Sequence, residues 1–200
     1  MHRRKTLILS IMLYVFVSCS QHQVVTTQEA GGMASLIDSF IHNKKPSSFG
    51  ALFSETAFGE RIKEASGNNL PPGFSAAINK QIRKNNLGGE IIDNTRQSGS
   101  YELVKQYEKN KVQHLIFRLY GEGGLNYHDF ELIKQKGKVY IADVFVYITG
   151  ENLSKSMADI GLSFENIPGM IDSNGKQSGQ NIQEIKLLLA KGDFEKAKNV

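Results

Sequence analysis

Three residues capable of acid–base chemistry interrupt apolar stretches in the second half of this 200-residue chain: His128, Asp129 and Asp143, accompanied by Tyr127 and Tyr147. An imidazole beside a carboxylate is a minimal proton-transfer device, because the carboxylate fixes the ring's tautomer while the ring exchanges protons near neutral pH. Register decides which carboxylate meets His128. With a hairpin closed by the two residues Lys136-Gly137, position 130 pairs with 143. His128, Phe130, Asp143 and Phe145 then share one face, with His128 and Asp143 as diagonal neighbours. A turn one residue longer sets Asp129 against Asp143 instead. No nucleophile accompanies these groups, so they read first as a structural polar pair and second as a general acid/base site on a small hydrophobic substrate.

The other polar constellations are weaker. His114 alternates with Val112 and Ile116 and reads as a strand residue. A metal site built from His114, His128 and Asp143 would need three strands to converge, and no pair of ligands has short-range metal spacing, so neither metal nor cofactor is expected. Gly121-Glu122-Gly123-Gly124 opens no helix that could hold an anion, and is read as a hairpin loop.

Arg3, Arg4 and Lys5 precede an apolar stretch, 6–17, that ends in Ser18 just before Cys19, the only cysteine. That is the three-part layout of a secretory signal, and the run is shorter than the roughly 20 residues a spanning helix needs. Phe16-Val17-Ser18-Cys19 resembles the lipobox of bacterial lipoproteins, with Phe16 in place of the usual Leu. The resemblance implies cleavage after residue 18, diacylglycerol on the Cys19 thiol and membrane lipid as a partner. Ordinary signal cleavage or an uncleaved anchor are the alternatives. Ser20 after the cysteine resembles the pattern of lipoproteins sent to the outer membrane, so the implied address is the cell envelope, at the outer membrane or the periplasmic face of a membrane.

Loss of residues 1–18 removes three of the 24 Lys and Arg and none of the 20 Asp and Glu, leaving 21 against 20, a net +1. Nucleic acid is therefore excluded as an expected partner, since phosphate binding needs clustered positive charge. With Cys19 acylated no thiol is left for a disulfide. About 180 remaining residues suffice for one core domain and a small appendage.

The elements that must position these groups are legible in the pattern. Residues 19–32 are polar, contain Gly31-Gly32 and read as a tether. Met33, Leu36, Ile37, Phe40 and Ile41 share one helical face in a helix ending before Pro46. A second helix is expected with Ser47 or Ser48 as cap and Phe49, Leu52, Phe53, Phe58 and Ile62 as core. A third, with Phe74, Ala77, Ile78 and Ile82, stops at Gly88-Gly89, and 91–95 is a candidate edge strand. From residue 100 the composition turns aromatic and β-branched, giving four runs, 101–108, 112–120, 125–134 and 139–149, joined by short connections that favour antiparallel pairing. Leu153, Met157 and Ile160 line a short helix; 161–180 is a Gly/Ser/Asn-rich linker, and 181–200 is amphipathic through Ile182, Ile185, Leu188, Leu189 and Phe194.

The expected fold class is α+β: N-terminal helices on a curved antiparallel sheet of four to five strands, plus a C-terminal helix, within a domain spanning 33–160. This arrangement looks like the NTF2-like and cystatin-like group. The segments 125–130, 143–147 and 149–151 also look similar to exported proteins of Bacteroidota-type bacteria. The stretch 191–197 resembles the opening of the second helix of a tetratricopeptide repeat, of which about 20 of the usual 34 residues are present. These resemblances imply a fold and an address but no catalytic residues. The sequence points to a non-enzymatic lipoprotein module binding a protein partner or small apolar ligand. A small-pocket enzyme using His128 with Asp143 or Asp129, and an assembly scaffold with the terminal segment as docking element, are the alternatives.

Overall fold

A computed structural model describes residues 24–70, 73–74, 78–80, 86–96, 98–121 and 123–165. The signal segment, Cys19 and the 181–200 segment lie outside the described residues.

The first helix, α1 (Thr27–His42), opens earlier than the expected Met33. Thr26 and Glu29 form a capping box: the Thr26 hydroxyl accepts from the Glu29 amide at 3.2 Å and the Glu29 carboxylate accepts from the Thr26 amide at 2.9 Å. These reciprocal bonds satisfy amides that a helix start would otherwise leave open, so Gly31-Gly32 is carried within the helix and the tether stops short of Thr27. Ala30, Met33, Ala34, Ile37 and Ile41 are buried, whereas Leu36, expected in the core, is exposed.

The single second helix of the sequence reading is two helices. Pro46 starts α2 (Pro46–Gly50), where its missing N–H costs nothing. The Ser54 hydroxyl caps α3 (Glu55–Ala65) by accepting from the Ala57 amide at 3.1 Å. Between them, Phe53 bridges Ile141 in parallel, with Ser54 N–H donating to the Ile141 carbonyl and Ile141 N–H to the Leu52 carbonyl. Of the third expected helix, residues 74 and 78–80 are described and helical.

Residues 86–94 form α4 (Asn86–Asn94), which overturns both the helix stop at Gly88-Gly89 and the edge strand at 91–95. Gly88 is there for proximity rather than for a break. A Cβ at that position would meet Phe49 Cδ1 at 2.9 Å and the Pro46 carbonyl at 3.1 Å, so glycine lets α4 lie directly on α2.

Five antiparallel strands follow as a meander in the order β1-β2-β3-β4-β5: β1 (Ser100–Lys109), β2 (Val112–Gly121), β3 (Gly124–Gln135), β4 (Lys138–Val146) and β5 (Glu151–Asn152). Asn110-Lys111 and Lys136-Gly137 close two of the hairpins with positive φ at both positions, the geometry whose twist matches the strands it joins. The last helix, α5 (Leu153–Glu165), runs past the linker start expected at Gly161. A Cβ on Gly161 would come within 2.5 Å of Leu70 and 2.8 Å of Phe74, so this glycine marks close packing, not a chain break.

Helices α1 to α5 each contribute side chains to one core cluster with the inner face of the sheet, which presents Leu115, Phe117, Leu119, Phe130, Leu132 and Val144. Phe49 and Phe117 each pack edge-on against Phe130, with ring centroids 6.1 and 5.7 Å apart. The molecule is thus an α+β domain, helices on one side of an open five-stranded antiparallel sheet.

Candidate functional site

Strand parity sorts the polar candidates before any side-chain geometry is considered. On β3, His128, Phe130 and Leu132 point inward and Tyr127, Asp129 and Glu131 outward. The Lys136-Gly137 turn has the two residues expected, with Gln135 opposite Lys138. A bulge at Ala142 then shifts the register, so that Phe130 pairs with Val144 rather than with position 143, and Asp143 pairs with Glu131. One inserted residue reverses which side chains share a face, and the expected His128–Asp143 pairing is not formed.

His128 is instead enclosed. It is 4% exposed, with Nδ1 3.0 Å from the Tyr101 hydroxyl and Nε2 3.2 Å from the Asn126 side-chain nitrogen. The Asn126 carbonyl oxygen accepts from the backbone amides of Tyr127 and Ile148 at 2.8 and 3.0 Å, which fixes its amide group as the donor to Nε2. The neutral ring therefore carries its proton on Nδ1 and gives it to the Tyr101 oxygen. Burial pushes the imidazole down to about 4, and pushes the Tyr101 phenol well above its ordinary value. Both ring nitrogens are engaged, so none is left for a substrate.

Asp143 is equally committed. Its Oδ1 accepts from the Val144 and Ser154 amides at 2.8 and 3.2 Å, and its Oδ2 accepts from the Ser154 hydroxyl at 2.5 Å. Ser154 lies in the first turn of α5, where backbone N–H groups lack partners within the helix, so Asp143 caps α5 from a distant strand. Burial raises its pKa, and the hydrogen bonds from Ser154 and Val144 oppose the rise.

Asp129 is the one candidate that meets a histidine. On the outer face it lies between Ile116 on β2 and Phe145 on β4. Its Oδ1 stands 3.1 Å from His114 Nδ1, and its Oδ2 accepts a short hydrogen bond from the Tyr107 hydroxyl. Tyr107 and His114 face each other across β1 and β2 and stack at 4.9 Å with 22° between the rings. Burial, followed by the Asp129 hydrogen bond and charge, drives the Tyr107 phenol upward, so it remains a donor. The sequence reading took His114 as a strand residue and did not bring it together with Tyr107 and Asp129.

The outer face also carries an apolar tip. Tyr120 and Leu125 pair beside the β2–β3 loop, and Tyr147 and Ile148 follow the end of β4, with Tyr147 N–H bonded to the Tyr127 carbonyl. These four are each at least 49% exposed. Tyr147 packs edge-on against Tyr127 and Phe145, with centroids 5.8 and 5.2 Å away. Among the described residues no group of three or more His, Cys, Asp or Glu side chains is placed to hold a metal ion, and no helix is long and apolar enough to cross a membrane.

No protein-family model matches the chain, and no curated protein matches it significantly.

Proposed function

We propose that the protein is a lipid-anchored module of the bacterial envelope that binds a protein partner on the apolar tip of its outer sheet face. The observation that carries this reading is the placement of the tip relative to the start of the domain. Thr27 and Glu29, at the first turn of α1, are tied to Gln106 on β1 and Lys134 on β3 at 2.7 and 2.6 Å. Those positions flank the two tight turns at one end of the sheet; Tyr120, Leu125, Tyr147 and Ile148 sit at the other. At about 3.3 Å per residue, Leu125 and Lys134 are about 30 Å apart along β3. Residues 20–26 span at most about 25 Å when fully extended. An anchor at Cys19 therefore holds the turn end toward the membrane and presents the tip away from it. A contiguous exposed apolar patch in that position suits a protein surface rather than lipid.

Two measurements test the two halves of this reading separately. Labelled palmitate is expected to enter the protein and to be lost in Cys19→Ala; labelling that persists defeats the anchor. Benzoylphenylalanine placed at Leu125 or Ile148 in intact cells is expected to cross-link a protein that the same probe at Lys109, at the turn end, does not reach. Equal cross-linking at both ends, or none at the tip, defeats the docking surface whatever the palmitate result.

A further inference from the structure

The outer face holds a second arrangement, nearer the turn end, that the docking tip does not use. Asp129 is an acceptor-only group when ionised, and it takes one hydrogen bond from Tyr107 and one from His114 Nδ1. The neutral His114 ring must then keep its single proton on Nδ1, and its Nε2 is left as a bare acceptor. Among the described residues, Nε2 has no hydrogen-bond partner. His114 and Asp129 side chains are 16% and 11% exposed, enough shelter to strengthen the pairing while leaving the ring edge open. Three neighbours fix the ring: the stacked Tyr107, the carboxylate, and the strand backbone whose alternation aims it outward. His128, by contrast, has no free nitrogen.

We propose that His114 Nε2 is a proton acceptor of a small-molecule site on the outer face, with Asp129 and Tyr107 as its positioning residues, and that its ligand presents a weakly acidic hydroxyl. The ligand class follows from the acceptor itself. A weakly acidic hydroxyl is the group whose proton an oriented imidazole takes. Glu131 stands opposite His114 and is held by Arg61 of α3, Tyr107 stacks on the ring, and Lys105 of β1 lies over Tyr107 at 5.3 Å. Glu131 is already paired, so Asp129 is the carboxylate free to direct the imidazole.

Imidazole ¹⁵N spectroscopy on the unaltered chain tests the geometry without any variant. The neutral His114 ring is expected as the Nδ1–H tautomer, and an Nε2–H tautomer overturns the proposal outright. Diethyl pyrocarbonate at pH 8 tests reactivity: Nε2 attacks a carbonyl carbon, ethyl carbonate departs and decomposes to ethanol and carbon dioxide, and Nε2 becomes carbethoxylated. Modification of His114 is expected to be on the order of ten-fold slower in Asp129→Asn, since the second partner of a working imidazole supplies that much, whereas His128 stays unmodified. Equal rates overturn the positioning role. Should Asp129→Asn fail to fold, Tyr107→Phe retains the carboxylate and must keep the tautomer. Titration with 4-nitrophenol is expected to shift the Nε2 resonance saturably, and no saturable shift removes the ligand site.

Discussion

His114 and His128 stand on adjacent strands of one sheet yet lie on opposite faces, and almost everything that separates them follows from parity. His128 faces the helices, where Tyr101 and Asn126 occupy both nitrogens and desolvation holds the ring neutral. His114 faces out, where Asp129 occupies only Nδ1. The inner face spends its polar groups on completing a core, as His128, Tyr101 and Asn126 do in bonding one another. The outer face leaves polar and aromatic groups with unused capacity. A buried polar group with every partner in place specifies a fold; a sheltered one with a free edge is where chemistry or recognition can occur.

The sharpest way to break this division is to truncate matching aromatic residues. Phe130 is fully buried against Phe49 and Phe117. Phe130→Ala is expected to cost about 3–5 kcal/mol, read as a lowered urea midpoint. Phe145→Ala, on the half-buried outer face, should cost about 1 kcal/mol. Equal losses would mean that the outer face is covered as the inner one is.

Acid titration is the next largest effect. The His128 pKa falls from 6.5 to about 4 on folding, so between those values the unfolded chain binds the extra proton. Stability is complete above pH 6.5 and declines as pH falls toward 4, by about 3 kcal/mol from this group. Asp143, shifted upward, works in the opposite sense over its own interval: ionising it costs the native state more than the unfolded chain. Denaturant titrations at several pH values should show the decline in the unaltered chain and in His114→Gln, but not in His128→Phe. A slope that survives in His128→Phe places the sensitive group elsewhere.

Asp143→Ala should follow at about 2 kcal/mol, since it strands the Ser154 amide and hydroxyl while relieving a desolvated carboxylate. Hydrogen exchange at the Ser154 amide should accelerate more than at the Ile37 amide in α1. Uniform acceleration would show that Asp143 supports the whole fold rather than one helix end.

Much of this arrangement was legible in the chain. The aromatic and β-branched runs after residue 100, with turns of fixed length, gave the meander, and the helical spacing of Met33, Ile37 and Ile41 gave the core face of α1. Glycine misled the reading at Gly31-Gly32, which lies inside α1, and again at Gly88 and Gly161. Gly88 and Gly161 look like breakers in a one-dimensional pattern, but each is a place where two elements touch, and only the partner's position reveals that. The His114–Asp129 pairing could have been found by arithmetic. With Asn110-Lys111 as a two-residue turn and Gly121 opposite Gly124, Tyr107 falls opposite His114 and Ile116 opposite Asp129. The same arithmetic fails for His128 and Asp143 because nothing in the residues around Ala142 announces a bulge. That bulge depends on tertiary packing, with Phe53 bridging Ile141 along the strand's other edge.

The smallest change in stability should accompany the most informative change in recognition. Tyr147 is 49% exposed, and its ring rests on Tyr127 and Phe145 without entering the core cluster. Tyr147→Ala is therefore expected to shift unfolding by about 0.5 kcal/mol or less, in the range of ordinary surface substitutions. If the tip is the docking surface, the same change should remove the Leu125 cross-link, because exposed aromatic anchors carry a disproportionate share of interface energy. Glu102→Ala makes the contrast fair: it deletes the exposed partner of Arg118 on the same face, at similar small cost, and should leave the cross-link intact. Loss of cross-linking in both variants would show that the face binds through its general character. Loss in neither would show that the tip's exposure reflects sheet geometry alone, and the division between a closed inner face and an open outer one would then concern folding rather than function.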